Sequence, residues 1–263
     1  MDEKTVYLLF TGGWDSTFRL LQLAATPGLT VRTVYFVDPG RRGREYEMRA
    51  IRRIITKIRR QPEVFPATIL KPQRVKLEDL SAIRRDPELK KAYMQLHKKY
   101  GIGIQYLWFA AYADMTGIRP ECGVLCDSSR SKVGNAIFGE GGSLVAVGDD
   151  PVGDRKMLAP GQAGAAAEKI FGKLVMGIAG LSKTEEQRIA EEKGWLPIME
   201  LSWFCHAPVG GQPCGVCTPC RDAMNEGMEW RMPDEAKWRY RHRNNLFVRG
   251  WIWFARRSSG GKR

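Results

Sequence analysis

Residues 6–25 read VYLLFTGGWDSTFRLLQLAA. Val6 to Phe10 is an uninterrupted apolar run, the turn-forming string Thr11–Thr17 follows at once, and an apolar-rich segment comes next. This order predicts strand, tight loop, helix. Gly12 and Gly13 let the backbone turn sharply and come close to a ligand. Free N–H groups at the helix start, together with the helix dipole, favour an anion there. Thr11, Ser16 and Thr17 add hydroxyl donors. Asp15 would repel a phosphate directly, so it is expected to act through a magnesium ion or by fixing the loop. No Gly-Lys-Ser/Thr closes the string, which excludes a Walker A loop.

Working outward, residues 30–37 (TVRTVYFV) are rich in β-branched and aromatic residues and predict a second strand, ended by Pro39-Gly40. Met48, Ile51, Ile54, Ile55 and Ile58 fall on one stripe of a helix over 44–60, with its arginines mostly elsewhere. A short third strand is expected within 63–71 and a largely exposed helix over 76–99. An apolar helix is expected over 104–117, and a buried strand over 122–126. The glycine-rich stretch 139–165 predicts a long loop. Residues 173–179 predict another strand. Ser182 then opens a helix with Glu185 three positions on, a capping box. Strands alternating with helices predict an α/β fold, a mostly parallel sheet with helices on both faces.

The 263 residues carry a net charge of +13, unevenly spread. Residues 231–263 hold ten Lys/Arg against Asp234 and Glu235, and residues 41–60 hold nine against Glu45 and Glu47. Such a balance suggests anionic partners. The composition excludes a disordered chain. The acidic N-terminus, without a secretory signal pattern or an apolar stretch of membrane length, predicts a cytoplasmic protein.

Cys205, Cys214, Cys217 and Cys220 follow the spacing C-x8-C-x2-C-x2-C. In a cytoplasmic chain this reads as a tetrahedral zinc site with four thiolates. The site would be closed and therefore structural. His206 is a competing ligand and a redox C-x-x-C the alternative. Cys122 and Cys126, in an apolar run, read as buried thiols. VRGWIWF (248–254) predicts a short strand in a basic, aromatic extension whose aromatics pack on the domain up to Phe254, with a mobile SSGGKR end. The expected organisation is an α/β domain over 1–204, the cysteine region 205–230 belonging to it, and the extension 231–263.

The FTGGWDST string resembles the S-G-G-x-D-S signature of the PP-loop ATP pyrophosphatases. Together with the cysteine spacing, it is similar to one family among them, the 7-cyano-7-deazaguanine synthases (the QueC family). Phe36-Val37-Asp38-Pro39-Gly40-Arg41 followed by Glu45 resembles that family's F-D-x-G-Q-x-x-x-x-E segment. GLSKTEE (180–186) resembles its K-x-E segment, and PCGVCTPC (213–220) its C-G-x-C-x-x-C. The resemblance spans roughly residues 4–230 and implies an adenine-nucleotide-hydrolase-like fold with a C-terminal zinc knuckle. It further implies an ATP-dependent ligase that adenylates a 7-carboxy-7-deazaguanine-type carboxylate, releases AMP and pyrophosphate, and forms a C–N bond.

Carried over residue by residue, Phe10, Thr11, Gly12, Gly13, Asp15, Ser16 and Thr17 would bind ATP. Phe36 and Asp38 would lie near the nucleotide. Asp15, Ser16 and Lys183 would serve catalysis, Lys183 offsetting negative charge as the adenylate forms. Two family segments on the acceptor side, P-x-R-N and S-G-Y-P-D-C-R, are replaced by Gly101–Gln105 and by Asp127–Arg130 with the glycine-rich stretch beyond it.

An altered acceptor side leaves open an amide, a nitrile or, as in QueC-like proteins of bacterial antiphage systems, a conjugate with a protein amine. The expected partners are ATP with Mg2+, the deazapurine carboxylate, and ammonia or a protein amine. An acidic protein or RNA is expected at the basic C-terminus, and a second copy in a homodimer; no membrane is expected. The competing readings are a PP-loop tRNA-modifying enzyme, whose cysteines would be catalytic or hold an iron–sulfur cluster, and a non-enzymatic module with a degenerate nucleotide loop.

Overall fold

The computed structural model describes residues 5–126, 131–148, 150 and 152–258. β1 (Thr5–Leu9) runs through residues 10–13 into α1 (Trp14–Ala24), followed by β2 (Thr30–Val37) and α2 (Arg44–Arg59). Next come β3 (Thr68–Ile69), β4 (Gln73–Lys76), a 3-10 turn, and helices α3 (Ala82–Arg85), α4 (Pro87–Tyr100) and α5 (Gln105–Thr116). β5 (Glu121–Cys122), α6 (Lys132–Gly139), β6 (Leu144–Ala146) and β7 (Lys156–Leu158) come after these. α7 (Ala165–Phe171), β8 (Val175–Met176), α8 (Lys183–Glu192) and α9 (Leu196–Met199) complete the layered part. Beyond it lie α10 (Thr218–Asn225), a 3-10 turn at Glu229–Arg231, α11 (Asp234–Arg241) and α12 (Leu246–Ser258).

One sheet has the order β3-β2-β1-β5-β8-β7-β6, with β4 also on β2. β1 to β5 and β8 are parallel, whereas β6 and β7 add an antiparallel edge. The first strand explains itself once its surroundings are known. Val6, Leu8 and Phe10 pack with α1, α2 and α9 on one face, and Leu9 packs with α4 to α7 on the other. Both faces are covered, so no polar residue alternates. The chain steps from β1 to β2 in one direction and to β5 and β8 in the other. The reversal falls between β1 and β5, where open α/β sheets bind ligands beyond the carboxyl ends of their strands.

Several expected elements differ. The third strand is split: β3 pairs with the start of β2 and β4 with its end. Pro72, with no N–H to give to a ladder, lies between them. The single helix over 76–99 breaks at Asp86, whose side chain caps α4 by accepting from Leu89 N (3.1 Å), with Pro87 at the first helical position. The strand expected over 122–126 pairs only through Cys122. At Gly123 the chain presses on the α1 backbone, and a Cβ there would lie 2.9 Å from Ser16. The stretch 139–165 is not a plain loop, since it contains the β6–β7 hairpin. VRGWIWF is helical: Asn245 Oδ1 accepts from Phe247 N (2.9 Å), and Val248 and Ile252 are buried one turn apart. Asp127–Arg130, which replaces one of the acceptor segments, and the end from residue 259 lie outside the described residues. Among the described residues no helix is long and apolar enough to cross a membrane.

Candidate functional site: a crevice at the first strand and a cysteine cluster

The loop after β1 is set by glycine geometry. Gly12 has φ 70° and packs against α2, so that a Cβ there would lie 3.0 Å from Ile51. Gly13 occupies the N-cap of α1 without any side-chain cap. The first amides of α1 are therefore left without an intrahelical or capping side-chain partner, which is the arrangement that binds anions. Three parallel strands, β1, β5 and β8, each deliver the chain toward a helix start, at α1, α6 and α8 respectively. Thr11 is half-buried beside Gly13, Ser16 is buried and donates to Gly13 O (3.3 Å), and the buried Thr17 hydroxyl has no hydrogen bond.

Lys183 reaches this loop from the first turn of α8 and forms an ion pair with Asp15. The helix start that presents it carries the capping box Ser182–Glu185, with Ser182 Oγ accepting from Glu185 N at 3.2 Å and Ser182 N donating to Glu185 at 2.8 Å. Burial lowers the Lys183 pKa, opposed by the carboxylates of Glu186 and Glu226. Glu186, one turn along α8, is fully buried, and neither of its oxygens has a hydrogen bond of normal geometry. Burial pushes its carboxyl up to about 7 against the pull of Lys183. Asp15 thus fixes a loop-to-helix contact.

Phe10 and Phe36 are packed in the two core layers, and Asp38 is tied into its own turn. Phe10 is in the core of the α1 face. Phe36 packs on Phe109 and Tyr112 (5.4 and 5.7 Å between centroids) on the other face. Asp38 holds its own turn, accepting from Gly40 N (2.9 Å) and pairing with Arg41 (3.8 Å). Glu45 is exposed, whereas Glu47 is buried, accepting from Tyr35 Oη (2.7 Å) and Arg41 (3.1 Å).

The sulfurs of Cys205, Cys214, Cys217 and Cys220 all lie within 4.8 Å of one another, and none is in a disulfide. Cys214–Cys220 and Cys205–Cys217 are each 3.9 Å apart. Four thiolates about 2.3 Å from one zinc ion would sit about 3.8 Å apart along each tetrahedral edge. The donor set and its spacing therefore fit a metal such as zinc. Backbone N–H groups of Cys214, Val216 and Cys217 point at these sulfurs (3.2, 3.5 and 3.3 Å), which favours the thiolate form. His206 is outside the cluster, and burial pushes its imidazole down to about 4. Cys122 and Cys126 are buried in the sheet core, as expected.

The cysteine cluster and the loop are tied together. Trp203 N donates to Gly12 O (2.7 Å), Trp203 stacks on Tyr46 of α2 (4.7 Å), and its indole donates to Cys205 O (2.7 Å). Gly43 N donates to His206 O (2.9 Å). Arg231 lies over Trp14 (4.8 Å) and Phe204 (5.1 Å) and donates to Ser202 O and Oγ, and Trp230 meets Trp14 edge-on (5.9 Å). Behind the loop, Arg19 is buried in ion pairs with Glu121 of β5 and Asp154, and Arg155 also pairs with Glu121 (3.1 Å).

Sequence reasoning missed Glu186, Arg231, Trp203, Glu47 and Arg19. Glu186 carried a signal, as a carboxylate sharing one helical face with Ile189 and the buried Ala190. Trp203 and Arg231 carried none, because their contacts cross the chain. No protein-family model and no curated protein matches the chain.

Proposed function

We propose that this crevice binds the phosphates of ATP, carried with Mg2+, and that the chain is a QueC-like ligase. It would adenylate a 7-carboxy-7-deazaguanine-type carboxylate and pass the acyl group to an amine. The observation that carries the reading is the Asp15–Lys183 ion pair across an uncapped helix start at the sheet's reversal point. In the first step a carboxylate oxygen attacks the α-phosphorus of ATP and pyrophosphate leaves. In the second the amine attacks the acyl carbon, AMP leaves, and the amine gives up a proton. The uncapped amides of α1 and the hydroxyls of Thr11 and Ser16 would hold the leaving pyrophosphate. Lys183, drawn from Asp15 to phosphate, would offset its charge. The near-tetrahedral cysteine set favours structural zinc over the catalytic or iron–sulfur cysteines of the tRNA-modifying alternative.

The test measures AMP and pyrophosphate release from ATP with 7-carboxy-7-deazaguanine and ammonium as substrates. Turnover is expected in the wild type. Asp15→Ala and Lys183→Ala should each reduce it about a hundredfold or more while the melting temperature stays near that of the wild type. Variants retaining more than about a tenth of the rate would overturn the assignment.

A further inference from the structure

The C-terminal helices present a surface that the crevice does not use. A groove of about 740 Å3 runs between α11 and α12, with Trp238, Phe247, Val248 and Trp251 as its apolar lining. Phe247 is 88% exposed, and Trp238 and Trp251 are each 50% exposed. Indoles and a phenyl ring clustered in water at this level mark an interaction site. The helices are firmly seated. Buried Arg239 donates to the carbonyls of Pro213 (2.9 Å) and Cys214 (3.0 Å), and Met232 and Ala236 pack in the small core around the cysteines. Through Trp230 and Arg231, the residues just before α11 also touch Trp14 at the crevice. The groove runs along α11 from Asp234 to Arg241 and so begins three residues after Arg231.

We infer that this groove docks an acidic, amphipathic segment of a partner protein, seated by apolar anchors between α11 and α12. Charge selects an acidic partner, because residues 231–255 carry six Lys/Arg against Asp234 and Glu235, and Lys237 and exposed Arg241 lie in the lining itself. Two observations favour protein over single-stranded RNA. Asp234 and Glu235 share the lining, and a phosphate at every nucleotide would meet them, whereas a peptide can place a neutral residue there. Trp238 already stacks on His242 (4.6 Å) and Trp251 on Arg239 (5.9 Å), which leaves each indole only one face for a base. An apolar groove with a mixed charged rim is the form that receives a peptide helix through anchors at i, i+3, i+4 and i+7. This inference does not depend on the nucleotide reading.

The test pans a displayed library of random 16-residue peptides against the full-length protein, with Phe247→Asp as counter-target and 16-nucleotide oligo-uridine as a parallel probe. Enriched peptides are expected to be acidic, with apolar residues at helical spacing. A synthetic copy of one should bind the wild type at least tenfold more tightly than Phe247→Asp or the Lys237→Glu/Arg241→Glu double variant. Its affinity should also fall several-fold between 50 and 300 mM salt. Phe247 is so exposed that its variant should melt with the wild type, and Trp238→Glu serves as a second disruption. Peptides that are not acidic, or that bind Phe247→Asp equally well, would overturn the inference. So would oligo-uridine binding more tightly than the peptide and losing affinity in Phe247→Asp, or a concentration-dependent dimer of the free protein abolished by Phe247→Asp.

Discussion

Glu186 shows at the scale of one residue how a site is assembled at a cost. A carboxylate fully removed from water, with no hydrogen bond of normal geometry, is expensive unless it holds a proton. Burial raises its pKa from 4.5 to about 7. A group whose folded pKa lies above its unfolded value favours the fold while protonated, and that contribution is lost as pH rises through the folded pKa. Stability should therefore decline between about pH 4.5 and 7 on account of this group. Glu186→Gln keeps the shape and removes the titration. Its melting temperature relative to the wild type is expected to rise between pH 5 and pH 8, read by thermal denaturation at each pH. A constant difference across that range would show that the carboxyl titrates normally. Asp15 illustrates the complementary case, in which a charge at the protein's mouth is retained because Lys183 meets it there.

At the scale of elements, the cysteine knuckle and α11 are one unit. Cys217→Ser is expected to lose one bound zinc per chain, measured by metal analysis, and to melt earlier, because a structural metal contributes folding free energy directly. Arg239→Ala should destabilise by about 2–3 kcal/mol in urea denaturation, since two buried carbonyls lose a charged donor, while the metal stays bound. An unchanged urea midpoint would mean that the knuckle holds α11 by packing alone. Most elements are legible in the sequence where a local signal decides them: the apolar run of β1, the isoleucine stripe of α2, the glycine stop of α5 at Gly117 and the capping box of α8. The failures share a cause. β6 and β7 are three residues each and exist through pairing with distant strands, and in α12 the close-set aromatics point to a strand and outweigh the cap at Asn245. The loop, Lys183 and the four cysteines can be picked out from their neighbours in sequence. That Trp203, Arg231 and Glu186 gather around the loop, Trp14 and Lys183 cannot, because no spacing rule relates residues brought together by the sheet.

At the scale of the whole molecule, the metal region and the crevice are mechanically continuous. Cys205 comes two residues after Trp203, and Trp203 carries the hydrogen bond to Gly12. On the proposed nucleotide and zinc readings, treatment with a chelator should thus weaken ATP binding as well as lower the melting temperature. Titration of ATP into metal-free and zinc-restored protein below the melting transition, followed by calorimetry, reads the first effect separately. Equal affinities would mean that the crevice is independent of the cysteines.

The same hydrogen bond also has a bearing on the birth of the chain. Gly12 is made early, but its partner is 203 − 12 = 191 residues further on. At roughly 5–20 residues per second, the loop waits about 10–40 s on the ribosome before Trp203 exists to fasten it. β1 can pair with β2 long before then, so a nascent chain holds a partly built sheet with its crevice unfinished. A chain that stalls before residue 203, or is clipped there, keeps the glycine loop and lacks its fastener, the cysteines and Arg231. The loop is thereby fastened only in chains that extend past residue 203.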